Sequence, residues 1–379
     1  MISCRVEYVH TFAGDIMPTM KLKDVGEFEL IELMARTFGR DSSDFLGAGA
    51  FHGLTVGIGD DAAVWSAPTS GFTIATTDAM VEGTHFTAAT TGWYDLGWKA
   101  MASNISDIAG MGGVPLYALA VLGASGDQEV DDILRLCHGM ADAASHFGAS
   151  VVGGDTVSSA LTMISVTLIG TTIGGKDKSG NLPILSRSNA HPGDGIAVTG
   201  TLGSSEGGME LLLRDDRGIP ERFRPLAEAH TRPMPRVREG QLLVEAGVRC
   251  GMDLSDGLAG DLVRICRASG VSAQIEVGKL PIHPLLVQAF GNRAMELALS
   301  GGEDYELLCV APLDILSRAT VLLADRGTAL TTVGRVSQAT EGQPPLILAS
   351  ADGRLYAPPK SGWEHFTTGG GENGSAARR

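Results

Sequence analysis

Aspartate residues recur in this sequence beside glycine, serine or threonine, where a β-like or helical run meets a turn. Two lie side by side in GIGDDAAV, and the others lie in TTDAMVEGTHF, NISDIAGMGG, VVGGDTV and MDLSDGL. The set comprises Asp60, Asp61, Asp78, Asp107, Asp155, Asp253 and Asp256. A buried carboxylate without a partner is costly, whereas a bound divalent cation compensates that cost. Mg²⁺ takes oxygen ligands and keeps substrate phosphates in its shell, so the set is typical of a metal–phosphate site.

Plainer interpretations exist for each motif. A single Asp beside a glycine also caps a turn or a helix, although caps would not need strands on both sides. GIGDDA fits the GxGxxA dinucleotide fingerprint, but its two carboxylates would repel a pyrophosphate. GGKDKS lacks the GK[ST] of a P-loop, and the sequence has no HExxH motif. His85 in EGTHF, taken alone, is typical of a structural hydrogen-bonding residue.

Composition and charge narrow the class of protein. A chain of 379 residues suits two domains. A formal net charge of −15 is unlike that of a nucleic-acid binder. No apolar run approaches the roughly 20 residues of a membrane helix, and the N-terminal residues lack the basic-then-apolar pattern of a secretory signal, so we expect no membrane association. Five cysteines without a CxxC pair indicate reduced thiols and a cytoplasmic location.

Hydrophobic periodicity predicts mixed helices and strands. Apolar residues recur at helical spacing over 27–38, and helices are also expected over 93–113, 128–147, 205–214, 236–247 and 256–268. Strands are expected at FTIATTD, LYALAVLG, SVVGG, TMISVTLIGTTIGG, AQIEV and YELLCVA. Without a strict βαβ alternation, this order favours an α+β fold over a doubly wound sheet. The polar, Gly- and Pro-containing stretch 174–186 is the best candidate for a domain boundary.

Several motifs, taken in order, resemble one known family. They are GIGDDAAV, TTDAMVEGTHF, KAMASNISDIAGMGG, GGDTV, RSNAHPGD, VTGTLG, MDLSDGL and SGGEDYELL. Together they resemble the thiamine-monophosphate kinase family, within the ATP-binding superfamily of aminoimidazole ribonucleotide synthetase. The resemblance covers roughly residues 24 to 366, and its specificity lies in the ordered set of motifs, with SGGEDYEL near the end.

The resemblance implies a fold and a reaction. The fold is the two-domain, α+β, aminoimidazole-ribonucleotide-synthetase-like (PurM-like) fold. Residues 24–175 would be an N-terminal ATP- and Mg-binding domain that dimerises through its sheet, and 176–366 a C-terminal α+β domain. From their composition, residues 1–23 are expected to be an irregular extension and 367–379 a disordered tail. The enzyme would be a homodimer that transfers the γ-phosphoryl group of ATP, its co-substrate, directly to thiamine monophosphate. Several Mg²⁺ ions would assist, and thiamine diphosphate and ADP would form.

The same resemblance implies roles for individual residues. The implied metal ligands are Asp61, Thr76, Thr77, Asp78, Asp107, Asp155, Asp253 and Asp256. Asp107, Asp155 and Arg187 would be catalytic, and Gly154, Asp155, Arg187 and Ser255 would contact ATP. His85, Glu303 and Trp363 would line the thiamine-phosphate site. The plainer alternatives are a salt bridge at a strand start for Glu303 and packing against the core for Trp363.

Other functions remain open at this point. A selenophosphate synthetase would need a reactive Cys or selenocysteine in an N-terminal Gly-rich loop, where this chain has none. A hydrogenase-maturation dehydratase would end in a functional Cys, whereas this chain ends SAARR. The purine-pathway synthetase shares the expected fold, but SGGEDYELL and GTHF favour the kinase. A non-catalytic module that binds Mg²⁺ and nucleotide is the alternative from a different class.

The adjacent aspartates of GIGDDAAV yield a first prediction. Successive side chains of an extended segment point to opposite faces, so only one of the pair can reach a shared metal site. The resemblance assigns that role to Asp61. We therefore expect Asp61→Asn to lower kcat far more than the neighbouring control Asp60→Asn, measured as phosphoryl transfer with each purified variant. Equal losses in the two variants would contradict the assignment.

Overall fold

The computed structural model describes residues 20–25, 27–39, 54–56, 64–65, 71–88, 90–214 and 218–357. Two of the predicted site residues, Asp61 and Trp363, lie outside this described part of the chain, as does Asp60. The predicted tail 367–379 and most of the predicted N-terminal extension also lie outside it.

In the first half of the chain, four helices are described, two of them long, beside a four-stranded sheet. The helices are α1 (Leu22–Val25), α2 (Glu27–Gly39), α3 (Trp93–Gly110) and α4 (Val130–His146). The strands are β1 (Leu54–Val56), β2 (Val64–Trp65), β3 (Thr73–Val81), β4 (Val114–Ala124), β5 (Ser150–Ser158) and β6 (Met163–Thr171). The sheet order is β3-β6-β4-β5, with β4 and β5 parallel and the other pairs antiparallel, while β1 pairs with β2 separately.

One face of this sheet carries the first core. Along β6 the buried residues Ile164, Val166 and Leu168 alternate with less buried ones, as expected for a sheet covered on one side. They cluster with apolar residues of α3 and α4. The two helices cross at glycines, since a Cβ on Gly97 would lie 1.9 Å from the carbonyl oxygen of Leu136. This close approach fixes how α3 and α4 pack against each other.

The second half of the chain forms a larger mixed sheet with helices around it. Its helices are α5 (Ser204–Arg214), α6 (Arg224–Thr231), α7 (Val237–Ala246), α8 (Leu258–Ser269), α9 (Pro284–Phe290), α10 (Ala294–Ser300) and α11 (Leu313–Ala324). Its strands are β7 (Gly195–Thr199), β8 (Cys250–Asp253), β9 (Val271–Glu276), β10 (Leu307–Ala311), β11 (Leu330–Gln338), β12 (Leu346–Ala349) and β13 (Leu355–Tyr356). The order is β13-β12-β9-β11-β7-β10-β8, and only β12 and β9 pair in parallel among these described strands.

The predicted α+β class and most predicted elements are confirmed. The helix expected over 27–38 is α2, and the helix ended by the glycines after Asp107 is α3. In α8 the predicted apolar face is buried, with Leu258, Leu262 and Ile265 each at most 1% exposed. The sequence periodicity identified these elements because their apolar faces meet a core. Among the described helices, none is both long and apolar enough to span a bilayer.

Helix α3 joins the two halves. Its Gly110 lies so close to β8 that a Cβ there would be 2.7 Å from the backbone nitrogen of Asp253. Next to it, Ser106 donates a hydrogen bond to Asp253 Oδ2 at 2.8 Å. Near the other end of the helix, the indole nitrogen of Trp98 donates to the carbonyl of Pro233 at 2.8 Å. Side chains on this face of α3 therefore lie between the two domains.

Candidate active site

Three predicted carboxylates meet where β3, α3 and β8 come together. Asp78 lies on β3, Asp107 in the last turn of α3, and Asp253 is the last residue of β8. The Thr76 hydroxyl donates to Asp107 Oδ2 at 2.5 Å, and the Asp78 amide donates to Asn104 Oδ1 at 3.0 Å. Thr76 and Asp78 are two residues apart on a strand and so share the face toward α3. The structure thus brings Thr76, Asp78, Asp107 and Asp253 together.

Burial and mutual repulsion raise the pKa of each of these carboxyls. Asp253 is 4% exposed, and burial, followed by the negative charge of Asp107, raises its pKa to about 8 despite the hydrogen bond from Ser106. Burial is also the main cause that raises the pKa of Asp107 to about 6. Burial is also the main cause that raises the pKa of Asp78, and the negative charge of Asp256 raises it further. Several negative charges in a poorly solvated place require a cation, or they must take up protons.

Carboxylate and hydroxyl oxygens are the donors that Mg²⁺ prefers, so the chemistry of this group fits the predicted metal. The side chains are not, however, gathered into one coordination sphere. Among the described residues, no group of three or more His, Cys, Asp or Glu is placed to hold a metal ion. Asp61, the remaining predicted carboxylate ligand from the first domain, is outside the described chain.

Asp256 lies beside the three carboxylates but is engaged by its own helix. Its carboxylate forms a hydrogen-bonded ion pair with Arg264, and its amide donates to Asp261 Oδ2 at 3.1 Å. Asp261 is fully buried, accepts from Arg264 at 2.8 Å and has a pKa raised to about 7, mainly by burial and then by Asp256. Sequence analysis did not single out Asp261 or Arg264. The sequence feature that could have predicted them is their i,i+3 spacing in the first turns of α8, directly after the DLSDG motif.

Two predicted metal ligands lie on the other face of the first sheet. Thr77 follows Thr76 on β3 and exchanges hydrogen bonds with β6, accepting from Thr167 Oγ1 at 3.1 Å and donating to the carbonyl of Val166 at 3.0 Å. Asp155 on β5 is exposed, and its Oδ1 accepts from the Thr156 amide at 2.8 Å. In the sheet register Asp155 pairs with Val121, one residue beyond the core-facing Ala120. The structure does not bring Thr77 or Asp155 to the carboxylate group at α3.

The expectation that every aspartate ends a strand or helix was wrong for two of them. Asp78 lies inside β3 and Asp155 lies inside β5, whereas Asp253 does end its strand. The Gly, Ser and Thr neighbours that indicated turns belong to the sheet instead. Gly154, predicted to contact ATP, is needed for close packing, since a Cβ there would lie 1.8 Å from the carbonyl oxygen of Ala120.

Arg187 is near the carboxylate group, as its predicted role requires. Burial raises the pKa of Asp107, and the positive charge of Arg187 lowers it. The Arg187 carbonyl accepts from the Ser269 hydroxyl at 2.8 Å, which fixes the loop between the two domains against the end of α8. A guanidinium here offers two parallel donors to a phosphate.

Glu303 and His85 form a second group, adjacent to the first. Glu303 Oε2 accepts from Lys99 Nζ at 2.8 Å and lies 3.5 Å from His230 Nδ1. His85 is among the groups whose charge lowers the pKa of Glu303, and its Nδ1 accepts from the Val81 amide at 3.1 Å. The Ser255 carbonyl accepts from the Glu303 amide at 2.8 Å. The structure therefore brings together Ser255, Glu303 and His85, which come from both domains.

Comparison with known proteins places this geometry in a family. The N-terminal domain of AIR synthase related proteins matches residues 59–174, and the C-terminal domain of the same proteins matches residues 191–344. The thiamine-monophosphate kinase of Bacillus subtilis is 34% identical over 344 residues, which cover 90% of this chain and 99% of that protein. This chain belongs to the thiamine-monophosphate kinase family.

Solved structures of the thiamine-monophosphate kinase family share the fold. The enzyme of Stenotrophomonas maltophilia is 31% identical with a TM-score of 0.71, covering 86% of this chain and 96% of that chain. A structure of AaThiL complexed with AMPPCP and TMP is 31% identical with a TM-score of 0.68, covering 92% of this chain and 100% of that chain. The predicted two-domain, PurM-like fold is confirmed.

Within this member of the thiamine-monophosphate kinase family, sequence analysis missed Lys99. It lies on α3, is 1% exposed and contacts both Glu303 and His230. Its signal was present in the helical spacing, because Lys99, Ser103 and Asp107 recur every fourth residue on one face. A lysine on the same helix face as Ser103 and Asp107 indicates a buried ammonium group that needs an acid from another segment.

The raised pKa values predict how stability depends on pH without divalent cations. The pKa of Asp253 is raised from 3.8 to about 8 in the folded state, so between these values the folded state binds more protons than the unfolded state. The free energy of unfolding must therefore fall as the pH rises through this window. We expect urea unfolding in chelator to show this fall between about pH 5 and pH 8, and Asp253→Asn to reduce it.

The matched control is Asp325→Asn, which changes an exposed carboxyl at the end of α11, away from the carboxylate group. In this variant the free energy of unfolding should fall with rising pH as steeply as in the wild type. A wild-type slope of the opposite sign, or the same slope in Asp253→Asn, would show that Asp253 does not carry the effect.

Proposed function

We propose that this protein phosphorylates thiamine monophosphate with ATP, forming thiamine diphosphate and ADP. Relatives named thiamine-monophosphate kinase are 32–34% identical over most of their length. A structural relative binds AMPPCP, an ATP analogue, together with TMP. The observation that carries the proposal is the group of repelling carboxylates beside Arg187 and Glu303, between the two domains.

The chemistry suits an acidic site. The attacking atom is a phosphate oxygen that is already ionised near neutral pH, so no strong general base is needed. The barrier comes mainly from repulsion between two polyanions and from alignment, and phosphoryl transfer is catalysed chiefly by positioning and electrostatic stabilisation. When bound, Mg²⁺ would neutralise charge on the phosphate oxygens. Asp78, Asp107 and Asp253, with Asp61 and Asp256, are the residues that would hold it.

The remaining residues would bind and orient the two substrates. Arg187 is placed to donate to ATP phosphates at the edge of the carboxylate group. Ser255 and Gly154 would contact the nucleotide. Glu303 and His85 would line the thiamine-phosphate site, and Trp363 would stack on one of its rings. The carboxylate of Glu303 is a suitable partner for the cationic thiazolium or the aminopyrimidine of thiamine.

The activity is tested by ADP release. We expect release that requires Mg²⁺ and thiamine monophosphate together, with thiamine diphosphate as the second product. Asp107→Asn should lower kcat by about a hundredfold or more, since it removes charge that organises the transition state. The control Asp325→Asn, at the end of α11, should keep wild-type kcat.

Two outcomes would contradict this proposal. Near-wild-type kcat in Asp107→Asn would exclude a role for that residue in organising metal and phosphate. No turnover with thiamine monophosphate, alongside turnover with formylglycinamidine ribonucleotide or selenide, would indicate another enzyme of the superfamily. Nucleotide binding without turnover of any acceptor would indicate a binding module.

We also propose that the protein is a homodimer joined through the open face of the first sheet. Side chains on that face are only partly buried, and Val157 and Leu161 at its edge are 43% and 53% exposed. Thr77 and Asp155 lie on this face, so a second copy packed there would place both of them at the interface. The described cysteines, Cys137, Cys250, Cys266 and Cys309, are all free and buried, which supports a reducing, cytoplasmic compartment.

Light scattering after size exclusion tests the dimer. We expect a mass of twice 39.4 kDa for the wild type. Thr167→Arg places a charge in the middle of the open face and should lower the mass toward 39.4 kDa. The control Val321→Arg changes an exposed residue of α11 and should remain dimeric. A wild-type mass of one chain, or dimeric Thr167→Arg, would contradict an interface at this face.

A further inference from the structure

We propose that Lys99 is a positioning residue for the thiamine-monophosphate site, holding Glu303 from behind together with His230 so that the rest of the carboxylate faces the ligand. The proposal rests on the proposed function, which gives Glu303 its contact with thiamine monophosphate. It assigns Lys99 and His230 a task in acceptor binding that is separate from the handling of ATP by the carboxylate group.

Side chains of two helices converge on one oxygen atom of Glu303. Lys99 lies on α3, His230 on α6, and Glu303 in the loop between α10 and β10. Lys99 Nζ donates to Oε2 at 2.8 Å and also lies 3.3 Å from His230 Nε2. His230 Nδ1 lies 3.5 Å from the same Oε2 and 3.1 Å from the Ser205 hydroxyl on α5. The contacts thus tie the first domain to the second through a single carboxylate oxygen.

The members of this group differ in burial, with the cationic side buried and the carboxylate side facing solvent. Lys99 is 1% exposed and His230 4% exposed, whereas 32% of the Glu303 side chain remains exposed. A buried ammonium needs an anionic partner, and here that partner is the member of the group that reaches solvent. An ion pair that served only to fasten the domains would gain nothing from leaving its anion open to solvent. This arrangement suits a carboxylate held for a ligand.

The backbone that carries Glu303 is held in an uncommon conformation. Glu303 has a φ of 63° and Tyr305 a φ of 50°, both in the left-handed region that side chains disfavour. Such conformations persist where the surroundings impose them, and they cluster at functional sites. The Glu303 and Tyr305 amides donate to the carbonyls of Ser255 and Leu254 at 2.8 and 2.9 Å. Lys99 therefore acts on a loop that is already fixed beside the nucleotide-contacting segment.

Charges around Glu303 keep it ionised. Burial raises the pKa of its carboxyl, but the ammonium of Lys99, the rings of His230 and His85 and the Lys99 hydrogen bond outweigh burial and lower the pKa below its ordinary value. The negative groups nearby on other elements include Asp78, Asp107 and Asp253, all of which interact electrostatically with the adjacent Tyr305. Without Lys99, burial and these charges would favour the protonated carboxyl, which attracts a cationic ring less strongly.

The experiment compares steady-state constants for both substrates in the full-length enzyme. Lys99→Met removes the charge with similar volume, Lys99→Arg keeps it, and Glu303→Gln removes the acceptor charge. We expect Lys99→Met to raise the KM for thiamine monophosphate by about tenfold or more and to change the KM for ATP by less than about threefold. Lys99→Arg should recover most of the loss. Lys279→Met, which breaks an exposed ion pair with Glu276, is the control and should match wild type.

A double-mutant cycle decides whether Lys99 acts through Glu303. If it does, Lys99→Met combined with Glu303→Gln should have the same KM for thiamine monophosphate as Glu303→Gln alone. The double variant also removes both charges of the pair, so it is expected to fold even if a lone buried ammonium in Glu303→Gln, or an unpaired Glu303 in Lys99→Met, lowers stability. Additive effects, or equal increases of both KM values, would overturn the proposal.

The pH profile adds a readout that a purely structural role would not move. In Lys99→Met the loss of affinity for thiamine monophosphate as the pH falls should begin at a higher pH than in wild type, because protonation of Glu303 becomes easier. An unshifted profile would overturn the proposal. If wild type turns over thiamine monophosphate but these effects are missing, only the role of Lys99 fails. If wild type does not turn it over, the proposed function fails instead.

Discussion

The contact between the end of α3 and the strand β8 is the constraint on which this site depends. Gly110 lets the helix approach the backbone of Asp253, and Ser106 then donates to the Asp253 carboxylate at 2.8 Å. A hydrogen bond to a buried charged group is worth about 1.5–3 kcal/mol, which is less than the cost of crowding further carboxylates around it. The fold therefore crowds carboxyl groups that repel one another when ionised, and burial together with this repulsion raises the pKa of Asp253.

The same helix carries a second, opposite arrangement about two to three turns earlier. At Lys99 the buried group is a cation, and its partner is supplied by the other domain. One face of α3 thus meets the second domain through a carboxylate at its end and an ammonium near its start. The carboxylates at the end of α3 have the chemistry to bind metal and phosphate. Glu303, held by Lys99, has the chemistry to bind a cationic organic ring.

The fold was largely predictable because its elements are amphipathic on a local scale. The apolar spacing of α2 and α8 and the alternation in β6 each follow from one core-facing side, which a short window of sequence shows. The acidic motifs were equally visible, and the resemblance named Asp78, Asp107 and Asp253 among eight metal ligands. Less predictable were their local settings, since Asp78 and Asp155 lie within strands where glycine and threonine indicated turns.

By itself, the sequence determined the α+β class, the order of the elements and the identity of the acidic residues, since all three depend on residue types and short spacings. Only the tertiary structure decided which of those residues meet. Adjacent positions such as Thr76 and Thr77 go to opposite faces of a sheet, and one face is covered by α3 while the other is open. Lys99 and Glu303 are 204 positions apart and form a pair only because two domains pack on one helix. Such a contact depends on the packing of whole elements, and no local pattern contains it.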